Sequence, residues 1–172
     1  MPHETTLDPQ QRQEAIQTLQ ELIRDIHTAM LTTVMPDGSL RSRPMETART
    51  HFDGDLWFFT EADAPKVAEI EANPHVNVVY AQPDLNRYVS LSGRVQVVRD
   101  RKRMEVLWNP QLKNYFPDGL DDPKLALLRV DVDVAEYWDA STSSLFQFGD
   151  AVRSMVTGEP RHSEHEKIRW PR

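Results

Sequence analysis

At 172 residues with no cysteine, the chain is long enough for one domain with a buried core, and it cannot use disulfides, thiolate metal ligands or a thiol nucleophile. Its net charge of -7 lacks the basic excess that a general nucleic-acid binder or a protein on anionic membranes needs. No apolar run approaches the ~20 residues of a membrane helix, and the polar N-terminus lacks a signal-peptide core. We therefore expect a cytoplasmic protein that binds neither nucleic acid nor membrane.

The first predicted element is an amphipathic helix. Residues 1–8 are expected to be a loose N-terminus, with Asp8 as the N-cap and Pro9 as the first helical residue. Apolar side chains then recur at helical spacing at Ala15, Leu19, Leu22, Ile23 and Ile26. This stripe predicts a helix that packs on the rest of the domain and has a structural role.

Three consecutive strands follow. Residues 29–35 are apolar and rich in threonine and valine, which favours a strand. A turn at residues 36–38 leads into a returning strand over 40–50. The pair Asp53-Gly54 predicts a second hairpin turn, after which residues 55–60 form the third strand.

The remaining elements alternate between short helices and strands. Asp63 is predicted to cap a short helix that ends at Asn73-Pro74, and Asp100 to cap another. Gly93 lies inside a strand, where glycine often marks a bulge or a barrel corner. The later strands are predicted at residues 75–82, 87–98 and 125–138.

These elements predict a mainly β (α+β) fold. Six antiparallel strands with a mid-strand glycine favour a small barrel, closed or nearly closed, with peripheral helices. One domain is expected over residues 9–157, including a possible helix over 141–156, and a charged, mobile tail over 158–172. His162 and His165 lie in that tail, where ligands lack rigid support, so no metal site is expected.

Cations near one strand end and one helix start suggest an anion site. Arg41 and Arg43 share a strand face, Thr60 ends the aromatic strand, and Lys66 begins a helix. A lysine there opposes the helix dipole unless a carboxylate such as Asp63, or a bound anion, neutralises it. The pattern favours a bound phosphate, and the role of Arg41 stays open.

The order of these motifs resembles a known family. Arg43-Pro44-Met45, an aromatic strand ending at Phe59-Thr60, then Lys66 and a helix closing on Asn73-Pro74 resemble the FMN-binding split barrels related to pyridoxamine 5'-phosphate oxidase. Within that superfamily, the chain is most similar to the general stress protein branch. The resemblance covers about residues 20–140 and implies a six-stranded antiparallel split β-barrel.

The resemblance also implies roles for particular residues. In the family, the residues that match Arg43 and Lys66 contact the FMN phosphate, and the residue that matches Thr60 lies beside them. Pro44, Met45 and Glu46 are implied to bind the cofactor, with the backbone around Met45 and Glu46 lining the isoalloxazine edge. Phe59 lies near the ring. Such proteins are homodimers with FMN at the interface, which Trp138 and the strand beginning at Tyr88 of the second subunit would complete.

The resemblance leaves the activity open. Family oxidases carry Ser-Arg-Lys where this chain has Ala64-Pro65-Lys66, so one phosphate donor and one charge are missing. The C-terminal arginine and histidine that hold pyridoxal phosphate have no match, so pyridoxamine phosphate oxidation is not expected. The alternatives are a flavin-dependent oxidoreductase with unidentified catalytic residues, a non-catalytic flavin carrier or stress-related sensor, and a barrel that binds haem or a deazaflavin.

Overall fold

The computed structural model describes residues 9–48, 52–139 and 165–169. The helices are α1 (Pro9–Ile23), α2 (Pro65–Ala72) and α3 (Arg101–Leu107). The strands are β1 (Thr28–Val34), β2 (Leu40–Glu46), β3 (Asp55–Glu61), β4 (His75–Gln82), β5 (Arg87–Val98), β6 (Leu125–Asp139) and β7 (His165–Arg169). Short 3-10 helices lie at Pro83–Leu85, Pro110–Asn114 and Gly119–Asp121.

The strands form one antiparallel sheet that curls into a half-barrel. Its order is β2-β1-β4-β5-β6-β3, and β7 pairs with β6. The two end strands approach each other where Thr47 bridges Phe58 and where the N–H of Ala48 donates to the Trp57 carbonyl at 2.8 Å. The predicted six-stranded antiparallel barrel of mainly β, α+β class is therefore confirmed.

Gly93 lies within β5, at a bulge in the pairing with β6. The pairing register shifts between Ser92 and Gly93, so the predicted irregularity at this glycine is confirmed. A Cβ at position 93 would lie 2.1 Å from the carbonyl oxygen of Asp131. The two backbones approach this closely because glycine has no side chain.

The aromatic strand β3 divides its side chains between two apolar clusters. Phe58 is fully buried in the inner core of the barrel, while Trp57 and Phe59 point to the opposite face. There they pack with Met104 and Leu107 of α3. This alternation follows from the period of two along a strand.

The predicted stripe of α1 is buried against the inner core. Ala15, Leu19, Leu22 and Ile23 are buried, and Ile26, which follows the end of α1, packs on them while partly exposed. The predicted cap of α3 is also confirmed, because the side chain of Asp100 accepts the N–H of Arg103 at 3.1 Å. Among the described residues, no helix combines the length and apolar character that a membrane crossing requires.

Several predicted boundaries were wrong. β2 ends at Glu46 and not at residue 50, because the chain turns across to β3 at the Thr47 bridge. Ala64, not Asp63, is the N-cap of α2. The carboxylate of Asp63 lies 2.9 Å from Nζ of Lys124 instead.

The last described strand was not predicted. β7 lies within the segment 158–172, which was predicted to be a charged, mobile tail. Its backbone pairs with the end of β6, and Ile168 is buried in the inner core. The predictions for residues 1–8, for the helix over 141–156 and for His162 fall outside the described residues.

Candidate functional site

Arg43 is held at one end of the barrel by a compact set of hydrogen bonds. Its Nη1 donates to Oγ1 of Thr33, and its Nη2 donates to Oε2 of Glu69, both at 2.5 Å. The Thr33 hydroxyl donates to the same carboxylate oxygen at 2.5 Å. Arg43 shares its strand face with Met45, which is buried in the inner core, so its guanidinium lies on the inner face of β2.

Glu69 is a buried carboxylate on α2. Its side chain is 6% exposed, and its Oε1 lies 3.3 Å from Nη1 of the largely exposed Arg41. Burial acts to raise the pKa of Glu69, but the hydrogen bonds from Thr33 and Arg43 and the charges of both arginines outweigh it. The net result is a pKa below its ordinary value of 4.5. Glu69 is therefore ionised at neutral pH.

Lys66 lies in the first turn of α2, half-buried beside this cluster. Burial lowers its pKa from the ordinary 10.5, and the nearby charge of Arg43 lowers it further, while Glu61 and Glu69 act in the opposite direction. Among the described residues, no carboxylate forms an ion pair with Lys66. The ammonium group is therefore a cation for which the surrounding protein does not fully compensate.

Thr60 is buried at the end of β3, on the same barrel end. Its hydroxyl makes one long hydrogen bond, to the Glu61 carbonyl at 3.4 Å. The antiparallel register fixed by the Thr47–Phe58 bridge, continued towards this end, sets Thr60 beside Met45. Thr60 and Arg43 thus lie on the two strands that close the barrel, and Arg43 contacts α2 through Glu69.

A cavity of about 310 Å³ adjoins the same pair of strands. Glu46 and Phe59 line it from β2 and β3, and Trp108 lines it from the segment after α3. The rings of Phe59 and Trp108 meet edge to face, with centroids 5.8 Å apart and planes at 90°. Pro44, two residues before Glu46 on the strand, is exposed.

Trp138 lies far along β6 from these residues. It is paired with Tyr88 on β5, whereas Thr60 is paired with Ala126 near the other end of β6. At ~3.3 Å per residue, roughly 40 Å of strand separates Trp138 from Ala126. One chain therefore brings Lys66 near Arg43 and keeps Trp138 far from Thr60, and the predicted roles of Thr60 and Trp138 in a cofactor site stay predictions.

Two groups of this site were not predicted from the sequence. Glu69 lies three residues after Lys66 and hence on the same helix face, between the buried Val67 and Ile70. A carboxylate on that apolar face is a signal that could have been used. Trp108 is the other group: it packs on Phe59 and also lines the cavity.

We expect the stability that Glu69 provides to disappear in acid. Because its folded pKa is depressed, its contribution is fully present above 4.5 and is lost as the pH falls through the folded pKa. Urea unfolding of the wild type and Glu69→Gln should show a gap in unfolding free energy that closes below pH 4.5. The exposed Glu71→Gln should show no such gap, and a gap for Glu69→Gln that persists in acid would contradict the assignment.

Comparisons with known proteins relate the chain to a family of oxidases and stress proteins. Residues 14–162 match the family described as pyridoxamine 5'-phosphate oxidase like. The chain is 29% identical over 140 residues to the protein bli-3 of Neurospora crassa, a match that covers 76% of this chain and 67% of bli-3.

Two solved structures extend the comparison. One is the general stress FMN/FAD binding protein of Xanthomonas citri, at 29% identity and a TM-score of 0.64, covering 74% of this chain and 89% of that one. The other is described as an F420 reductase, at 25% identity and a TM-score of 0.53, covering 67% and 94%. Both share the curled barrel described above.

Proposed function

Because the chain belongs to the pyridoxamine 5'-phosphate oxidase-like family, we propose that it is a flavin-binding split barrel that holds FMN between β2, β3 and α2. The observation that carries the proposal is the half-buried Lys66 beside Arg43, because burial and then the charge of Arg43 lower the Lys66 pKa. A phosphate dianion would offset both charges. The Xanthomonas citri protein, which is described as binding FMN or FAD, supports the same ligand class.

The start of α2 suits a phosphate group. Its N-cap, Ala64, offers no side-chain hydrogen bond to the first turn, and Pro65 has no N–H to satisfy. The Val67 N–H already donates to the Ala64 carbonyl at 2.9 Å, so the positive end of the helix dipole is what favours an anion here. Lys66 and Thr60 would add an ammonium and a hydroxyl donor, so the donor set fits a phosphate monoester.

The cavity beside Phe59 would take the ring end of the same ligand if the ligand passes between β2 and β3, because Phe59 and Glu46 lie on the opposite strand faces from Thr60 and Arg43. It adjoins the strand segment of Met45 and Glu46, whose backbone would line the isoalloxazine edge. Its volume of about 310 Å³ lies in the range of small-ligand pockets. The flavin supplies the redox chemistry when it is bound, and these residues bind and orient it.

The second subunit of a homodimer would complete the site. Trp138 and Tyr88 are paired with each other, far along the sheet from Lys66. In the proposed dimer they reach the FMN of the partner. A flavin-dependent oxidoreductase and a non-catalytic carrier or sensor would share this site, and oxidation of NAD(P)H by the FMN-loaded protein would separate them.

A deazaflavin is the second candidate ligand. The similarity to a protein described as an F420 reductase favours it, and its phosphate would meet the same Arg43 and Lys66. Competition between F420 and FMN for the purified protein distinguishes the two. A higher affinity for F420 would replace FMN in the proposal and leave the phosphate site unchanged.

FMN should bind the purified protein about 100-fold more tightly than riboflavin does. Charged hydrogen bonds are worth about 1.5–3 kcal/mol each, and riboflavin lacks the phosphate that would accept them. Quenching of flavin fluorescence measures both affinities, and the absorption spectrum of the protein as purified shows any bound flavin. A colourless protein whose melting temperature and fluorescence ignore added FMN would refute the proposal.

A further inference from the structure

Glu69 places a negative charge inside the group of cations at the α2 N-terminus. Its carboxylate accepts hydrogen bonds from Thr33 and Arg43 and pairs with Arg41. Both terminal nitrogens of Arg43 are thereby used within the protein. A ligand phosphate at this position would meet an arginine that already has an internal anion.

The charges of the cluster come close to balancing one phosphate. Arg41, Arg43 and Lys66 contribute three positive charges, from which Glu69 subtracts one. Glu61 also acts on Lys66; it is exposed, as Arg41 is, so solvent and salt screen both of these opposite charges. The two remaining positive charges match a phosphate monoester, which carries about -1.5 to -2 at neutral pH.

We propose that Glu69 sets the affinity of this site for phosphate monoesters by competing with the ligand for Arg43. The inference rests on the proposed FMN site and adds a residue that limits how tightly the site binds. Without ligand, Glu69 compensates Arg43 and Arg41 and holds α2 against β1. With ligand, its charge opposes the phosphate across the shared guanidinium.

The geometry distinguishes this role from simple support of the helix. A residue that only fastened α2 could be apolar, as its neighbours Val67 and Ile70 are. Glu69 instead directs each carboxylate oxygen at a different arginine, Oε1 at Arg41 and Oε2 at Arg43. Removal of its charge should therefore weaken the free protein and strengthen the complex with a phosphate.

Replacement of Glu69 by glutamine tests the inference. Glu69→Gln should bind FMN about tenfold more tightly than the wild type, because one repulsive charge is removed from a partly buried site. Inorganic phosphate should also bind this variant about tenfold more tightly, once its displacement of FMN is corrected for the tighter binding of FMN. Riboflavin affinity should stay within about twofold, since riboflavin carries no phosphate to gain from the change.

Two matched variants control for shape and for helix charge. Glu69→Asp keeps the charge and should bind FMN within about threefold of the wild type. Glu71→Gln removes an exposed carboxylate from the same helix and should leave all three affinities unchanged. The melting temperature of Glu69→Gln should be lower than that of the wild type without FMN, and FMN should raise it by more.

A second variant, Arg41→Gln, should change the FMN affinity in the opposite direction and leave the fold intact. Arg41 is 57% exposed at its side chain, so Arg41→Gln should fold as the wild type does. Its loss leaves one positive charge fewer and leaves more of the Glu69 charge acting on Arg43. FMN affinity should fall about tenfold and riboflavin affinity should not change.

The outcomes separate this inference from the proposal on which it rests. A wild type that does not bind FMN overturns both. A wild type that binds FMN, with Glu69→Gln binding FMN no more tightly or losing FMN and riboflavin equally, overturns the role of Glu69 alone. If Glu69→Gln does not fold, an unchanged FMN affinity in Arg41→Gln overturns the charge-balance inference.

Discussion

Replacement of Gly93 by alanine is expected to lower the free energy of unfolding by about 3 kcal/mol. The added Cβ would meet the Asp131 carbonyl oxygen at 2.1 Å, and Cα of Val132 lies at 3.0 Å. These atoms belong to the backbone of β6 and cannot move aside as a flexible side chain could. The β5–β6 pairing must therefore open at its bulge.

Gly38 provides the matched control for this substitution. It lies in the turn between β1 and β2 with a positive φ of 83°, and a Cβ there would meet nothing within 4 Å. Gly38→Ala should therefore cost about 1 kcal/mol, from backbone conformation alone. Denaturant unfolding measures both variants, and equal losses would show that the close approach at Gly93 relaxes freely.

The barrel could be predicted from the sequence because its signals are local. The alternation along residues 130–134, the turn at Gly38 and the isolated Gly93 each depend on a few neighbouring residues. Period and turn chemistry express constraints that a short segment imposes on itself. Where strands begin was therefore largely predictable, apart from the end of β2. The pairing of β3 was not, because it pairs with β6 and meets its predicted hairpin partner beyond β2 only at the Thr47–Phe58 bridge among the described residues.

The site was predictable only in part, because its partners are distant in sequence. The position of Asp63 in the sequence predicted a helix cap, but its carboxylate pairs with Lys124, which is distant in sequence. A glutamate on a helix, such as Glu69, is usually exposed to solvent, but here it accepts hydrogen bonds from Thr33 and Arg43. Electrostatic partners brought together by the tertiary fold leave no periodic trace, so a single sequence cannot rank them.

β7 illustrates the same limit for a strand. Its sequence, HEKIR, contains a single apolar residue between charged ones, and composition alone indicates a solvated tail. The strand forms because β6 extends to Asp139 and offers an edge with which its backbone can pair. Ile168 then reaches the inner core. A strand of this kind depends on its neighbour more than on its own propensity.

Lys66→Ala should weaken FMN binding by about 10–100-fold and leave riboflavin binding within about twofold. The loss removes one charged hydrogen bond and one of the two cations nearest the α2 N-terminus. Lys102→Ala is the matched control, because Lys102 is also the second residue of a short helix but is exposed on α3. Fluorescence titration measures both ligands, and equal losses of FMN and riboflavin would contradict the phosphate assignment.

The same variant should change the stability of the free protein in the opposite direction. Burial and the charge of Arg43 lower the Lys66 pKa, so the charged lysine destabilises the folded state at neutral pH, and this cost is relieved only as the pH rises through its folded pKa. Lys66→Ala should therefore be at least as stable as the wild type without FMN, and less stabilised when FMN is added. A side chain that destabilises the folded protein but favours a ligand is typical of a binding site, because the bound anion offsets the electrostatic destabilisation. A lysine that served only the fold would show losses in both measurements.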